Sequence, residues 1–98
     1  MIDRKNFYIN GQWVNPKSKE EIKVVNPATE QDCAVIALAN KDDVNDAVVA
    51  AKNAYDTWAF TSKEERIQLL EKLYESYKKR WNDIEEALTM EMGAPKDF

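Results

Sequence analysis

Residues 32–58 read DCAVIALANKDDVNDAVVAAKNAYDTW, and the hydrophobic period changes inside them. Over 32–39 apolar residues alternate well enough for a half-buried strand, with Cys33, Val35 and Ala37 on one face. From Asn40 onward the period lengthens. Val44, Ala47, Val48, Ala51 and Tyr55 recur at three- and four-residue steps, which predicts an amphipathic helix over about 42–58. Its small-residue face allows close packing against another element. Asn40 or Asp42 is placed to cap that helix, and the acids beside them suit the positive end of its dipole. A strand that gives way to a helix in this manner predicts an α+β unit.

Toward the N-terminus the readings are all β. Residues 21–25, EIKVV, form a β-prone run that Asn26-Pro27 ends, because proline cannot donate to a ladder. Ala28-Thr29-Glu30 then makes a turn into the 32–39 strand. Residues 7–14, FYINGQWV, read as strand, turn, strand, since Asn10-Gly11 is the pair a two-residue hairpin turn with two positive φ angles prefers. Asn15-Pro16 and the polar KSKEE segment after it predict an exposed loop. Residues 1–40 are therefore expected to form an antiparallel β-meander.

Toward the C-terminus, Ser62-Lys63-Glu64-Glu65 spells a capping box. Ile67, Leu70, Leu73, Tyr74, Tyr77, Trp81, Ile84 and Leu88 continue as one apolar stripe, so a single second helix is expected to run to Met90 or Glu91. Gly93 and Pro95 stop it. Residues 41–98 thus read as a pair of helices. A long amphipathic helix reaching a bare end at Lys96-Asp97-Phe98 also suggests a truncated chain.

Composition removes several functions. The 98 residues carry a net charge of −4 with no basic stripe, which disfavours nucleic acid and anionic membranes as partners. The opening MIDRKNFYIN lacks a signal-peptide core, no run approaches a membrane span, and cytoplasmic location is the expectation. There is no histidine, so no Ser-His, Cys-His or His-metal mechanism rests on this chain alone. Gly11 and Gly93 are the two glycines, too few for a phosphate-cradling loop.

Each remaining chemical candidate has a plainer reading. Cys33, the lone cysteine, has no base to activate it and reads as a structural thiol in a strand. Glu91, with Glu85 and Glu86, could offer carboxylates to a cation, yet acids on a long helix ordinarily form its solvated face. Trp13, Trp58, Tyr74, Tyr77 and Trp81 could form a ligand platform, but they occupy positions that already require core residues.

Five strings in one order add something the residues singly do not. Tyr8-Ile9-Asn10-Gly11-Gln12-Trp13-Val14 is similar to the first hairpin of the NAD(P)-dependent aldehyde dehydrogenase superfamily. Val24-Val25-Asn26-Pro27-Ala28-Thr29 resembles its V-N-P-A-T segment. Lys41 through Val48, then Ala54-Tyr55, resemble its D-V-x-x-A-V-x-A-A-x-x-A-F helix, and Trp58, Glu65-Arg66 and Leu69-Leu70 its W…R-x-x-x-L stretch. Thr89 through Pro95 resemble its E-x-G-x-P closure, with Ala94 where many members carry Lys, a departure that bears on the subfamily.

The resemblance covers essentially the whole chain and implies an amino-terminal piece of an α/β enzyme, packed on its Rossmann-like cofactor domain. It implies oxidation of an aldehyde to an acid by NAD or NADP through a cysteine thiohemiacetal, with a glutamate activating water. Those residues are expected beyond residue 98, and Cys33 does not match the catalytic cysteine motif. No residue here receives a catalytic or cofactor-binding role, no cofactor is expected on the piece alone, and the piece is expected to be inactive. The resemblance also implies a structural monovalent cation held by backbone oxygens of Val24 and Val25 and by the Glu91 carboxylate. The partners expected are the remainder of the enzyme chain and, for the isolated piece, further copies of itself. The alternative is a small non-enzymatic α+β interaction module whose helix pair binds a protein partner.

Overall fold

A computed structural model describes residues 1–97. Phe98, the last residue of the expected 41–98 helical unit, lies outside the described residues. Five strands precede three helices: β1 Ile2–Arg4, β2 Phe7–Ile9, β3 Gln12–Val14, β4 Glu21–Asn26, β5 Gln31–Ala37, α1 Lys41–Trp58, α2 Lys63–Lys79 and α3 Trp81–Met92. The α+β class stands as read from the change of period.

The strands do not form one meander. β2 and β3 make a separate hairpin, with Tyr8 opposite Trp13, turned by Asn10 at φ 55° and Gly11 at φ 77°. β4 and β5 pair antiparallel as expected, and the turn between them is closed by Glu30 N–H donating to Asn26 O at 2.8 Å. The third strand of their sheet is β1, which lies parallel to β5 in the order β1-β5-β4. Asn15-Pro16 and the polar loop explain the separation, because they carry the chain out of the hairpin before β4 begins. Local pattern could not show that the three-residue β1 would return to β5, since that pairing is parallel and distant in sequence.

α1 is capped by Asn40, whose side chain accepts from Asp43 N–H at 3.0 Å while Asp43 accepts from Asn40 N–H at 3.1 Å. Ser62 and Glu65 make the expected reciprocal box at α2. The single second helix is corrected to two. At Arg80 (φ −107°, ψ 11°) the backbone leaves the helical region, and its N–H bonds back to Tyr77 O. Lys78 and Lys79 then sit at the negative end of α2, and Asp83, paired with Arg80, sits at the positive end of α3. The apolar stripe crosses the break unbroken in spacing, so periodicity alone could not reveal it.

The core is almost absent. Ala34 is the one buried apolar residue among those described. The Cα trace measures 48 × 36 × 15 Å, and its radius of gyration is 17.2 Å against about 13 Å for a compact chain of this length. The expectation that the aromatic residues pack in a core is corrected as well. Trp13 is 70% exposed, Trp58, Tyr74, Tyr77 and Trp81 are exposed too, and so is the stripe of α1 at Val44, Val48 and Tyr55. A slab about one helix thick has no second layer to cover them.

Candidate functional site

Val24, Val25 and Glu91 lie on two elements that the fold sets side by side. Val24 faces Ala34 and Val25 faces Asp32, so Cys33 is the residue passed over at a bulge in the ladder. The half-buried Cys33 thiol donates to Val24 O at 3.3 Å, which agrees with a structural role. α3 reaches this end of the sheet through its own terminus. Gly93 closes α3 in the left-handed region at φ 75°, and a β-carbon built on it would stand 3.1 Å from Pro27 Cγ, in the turn after β4. The exposed Glu91 is two residues before that contact.

The extra residue of the bulge is Cys33 on β5, across from Val24 and Val25, and the ligands concerned are carbonyl and carboxylate oxygens, the hard donors an alkali cation takes. The residues therefore fit such an ion in kind. Among the described residues no group of three or more His, Cys, Asp or Glu could hold a metal ion, so backbone oxygens would dominate any such site. Glu85 and Glu86 belong to the same helix as Glu91, and Glu85 lines a cleft with Tyr77, Trp81, Ile84 and Leu88.

Asp43 is the polar centre that sequence reasoning missed. It is 4% exposed, and its carboxylate accepts from Lys17 N–H at 2.7 Å, Ser18 N–H at 3.1 Å and Asn40 N–H. Burial opposes its charge, but donation from Lys17, Asn40 and Ser18, helped by the Lys17 charge, holds the carboxyl below its ordinary 3.8. Lys17 in turn pairs with Asp46 at 2.7 Å, which raises its own pKa. Asp43 thus ties the loop after the hairpin to the start of α1. The signal in the sequence was an acid three residues after the Asn40 cap, with a second oxygen left over.

Arg66 performs the corresponding task between helices. Its guanidinium donates to Thr61 Oγ1 at 2.9 Å and to the carbonyls of Trp58 and Ala59, and it lies 5.5 Å from the Trp58 ring centre. α1 has no basic residue in its last turn, and Arg66 supplies that charge from α2. These clusters brace the chain and contain no nucleophile with a base.

A model described as the aldehyde dehydrogenase family matches residues 13–98. The chain belongs to that family. A 3-succinoylsemialdehyde-pyridine dehydrogenase of a Pseudomonas species is 45% identical over 95 residues, which cover 97% of this chain and 20% of the relative. An aldehyde dehydrogenase structure from Bartonella henselae superposes with a TM-score of 0.97 at 44% identity, covering 99% of this chain and 20% of that one. A Pseudomonas syringae aldehyde dehydrogenase solved with NAD+ and octanal gives 0.91 at 40% identity, over 94% of this chain and 19% of that one. This chain accordingly spans about a fifth of the length of the aldehyde dehydrogenases it matches. No described helix is long and apolar enough to cross a membrane.

Proposed function

We propose that this chain serves as the amino-terminal structural segment of a cytoplasmic NAD(P)-dependent aldehyde dehydrogenase, and that by itself it is inactive. The observation that carries this reading is the near-complete superposition of the chain on a fifth of the Bartonella enzyme. The whole enzyme would convert an aldehyde and water, with oxidised nicotinamide as hydride acceptor, to a carboxylic acid and reduced cofactor. NAD+ accompanies two of the similar structures, which supports a nicotinamide cofactor for the whole. Within that enzyme the present residues brace. Asp43 and Arg66 hold hairpin, α1 and α2 in register, while β4 offers the Val24 and Val25 oxygens and the end of α3 offers Glu91 to a structural monovalent cation.

Grafting residues 1–98 in place of the matching segment of the Bartonella henselae enzyme tests the reading. The graft is expected to reduce NAD+ with an aldehyde, while the 98-residue chain alone turns over none. A folded graft without activity would sink the proposal. Turnover by the isolated chain, free of contaminants, would mean that residues here carry the chemistry after all.

A further inference from the structure

Asn10-Gly11, the pair that turns the first hairpin, is also the one place in the chain where an asparagine precedes a glycine. Both residues are exposed, at φ 55° and 77°. A β-carbon built on Gly11 would meet nothing within 4 Å, so the space around its backbone nitrogen is open. Among the described residues no hydrogen bond holds the Asn10 amide, whereas the amide oxygens of Asn26 and Asn40 are held by the N–H groups of Ala28 and Asp43. The hairpin itself is weakly restrained. β2 and β3 form a sheet of their own with three residue pairs, and a lone two-stranded hairpin is marginal in water. Local opening of such a unit costs little.

We propose that Asn10 is a site of spontaneous modification, at which the side-chain amide is lost through cyclisation onto the Gly11 nitrogen. Hydroxide removes the Gly11 amide proton, and the nitrogen attacks the Asn10 side-chain carbon. A C–N bond forms, the bond to the side-chain nitrogen breaks, and ammonia leaves a succinimide ring. Water then opens the ring. Attack at the side-chain carbonyl gives aspartate, and attack at the main-chain carbonyl gives isoaspartate. The other asparagines lack this route. Asn15 and Asn26 precede prolines, which carry no N–H to ionise. Asn45, Asn53 and Asn82 are fixed in helices, and Asn6 and Asn40 precede the bulkier Phe7 and Lys41. The two products have different consequences. Aspartate before glycine suits the same turn, so that product keeps the hairpin. Isoaspartate adds a backbone atom to a two-residue loop, so Ile9 no longer closes on Gln12. The hairpin then loses its seat on α1, where Asn10 and Gly11 line a cleft against Ala47, Ala50, Ala51 and Ala54.

Peptide mapping by mass spectrometry of the graft described above, incubated at 37 °C, tests the proposal without an activity readout, and a cooperative melt checks that the graft is folded. Conversion is expected at Asn10 before any other asparagine of residues 1–98, as a mixture of aspartate and isoaspartate, and several-fold faster at pH 8 than at pH 6. Gly11→Ala should slow it at least tenfold. Because alanine at φ 77° strains the turn, Asn10→Gln, which must close a larger ring, gives a second reading and should slow the loss equally. The isoaspartyl fraction should exchange the Ile9 and Gln12 amides faster than unmodified graft. An Asn10 that stays intact in the folded graft while the same chain in urea converts would overturn the proposal, because the turn would then protect it. So would earlier loss at another asparagine, a rate indifferent to pH or to Gly11→Ala and Asn10→Gln, or unchanged exchange in the isoaspartyl fraction. A folded graft without enzyme activity bears on the proposed function and not on this site.

Discussion

At the start of α1 a single carboxylate does three jobs. Asp43 completes the box with Asn40, accepts two N–H groups from the Lys17–Ser18 loop and stays charged while buried. Its pKa is depressed on folding, so its stabilising effect is fully present above the ordinary value of 3.8 and is lost as pH falls through the lower folded value. In the intact graft, Asp43→Asn should therefore be less stable than wild type at neutral pH. Urea titrations should show that gap closing as pH falls below about 4. A gap of constant size would mean that the charge is irrelevant. Gly93 is the second decisive residue, since its positive φ disfavours a side chain and a β-carbon there would press on Pro27 Cγ at 3.1 Å. Gly93→Ala should cost about 1–2 kcal/mol by the left-handed backbone alone. The loss should appear as faster amide exchange at the end of α3.

Elements here hold their ends better than their flanks. Both boxed helices begin where a short polar side chain stands three residues before an acid, and that spacing was legible at Ser62–Glu65 and half-legible at Asn40–Asp43. The break at Arg80 was not legible, because the apolar steps of Tyr77, Trp81 and Ile84 suit one long helix equally well. The clue lay in propensity: Trp81, Asn82 and Asp83 are all mediocre helix formers in succession. The α1–α2 corner depends on Arg66, whose planar fork reaches the end of α1 from the first turns of α2. Arg66→Lys keeps the charge but loses the fork, and is expected to destabilise the graft by about 1 kcal/mol. Arg66→Met, which loses the charge as well, should cost more in the same denaturant midpoint experiment. Equal midpoints for wild type and both variants would remove Arg66 from this role.

Over the whole molecule, secondary structure and core come apart. Eight elements form, each with its own local reasons, yet among the described residues Ala34 is the one apolar residue that is buried and not merely half-buried. Stability in water comes chiefly from apolar burial set against chain entropy, so an isolated slab of this kind has little of the first to offset the second. The 98-residue chain alone should bind a hydrophobic dye such as ANS strongly, exchange most amides quickly and unfold without a sharp transition. The graft should do none of these. A sharp cooperative melt of the isolated chain at low concentration would show that the exposed stripes find cover within one copy.

By itself the sequence determined the α+β class, the Asn10-Gly11 hairpin, the turn at Ala28-Thr29-Glu30, the starts of α1 and α2 and the family, because each follows from short-range backbone preference or a local string. It also excluded histidine-based chemistry resting on these 98 residues alone, which needs no coordinates. Only the tertiary structure decided that β1 runs parallel beside β5, that Cys33 is a bulge residue bonded to Val24, that Asp43 and Arg66 are the braces, and that the aromatic residues lie open to water. Those facts depend on which distant segments meet. A pattern of apolar positions states that a face must be covered; it does not state whether the cover belongs to the same 98 residues.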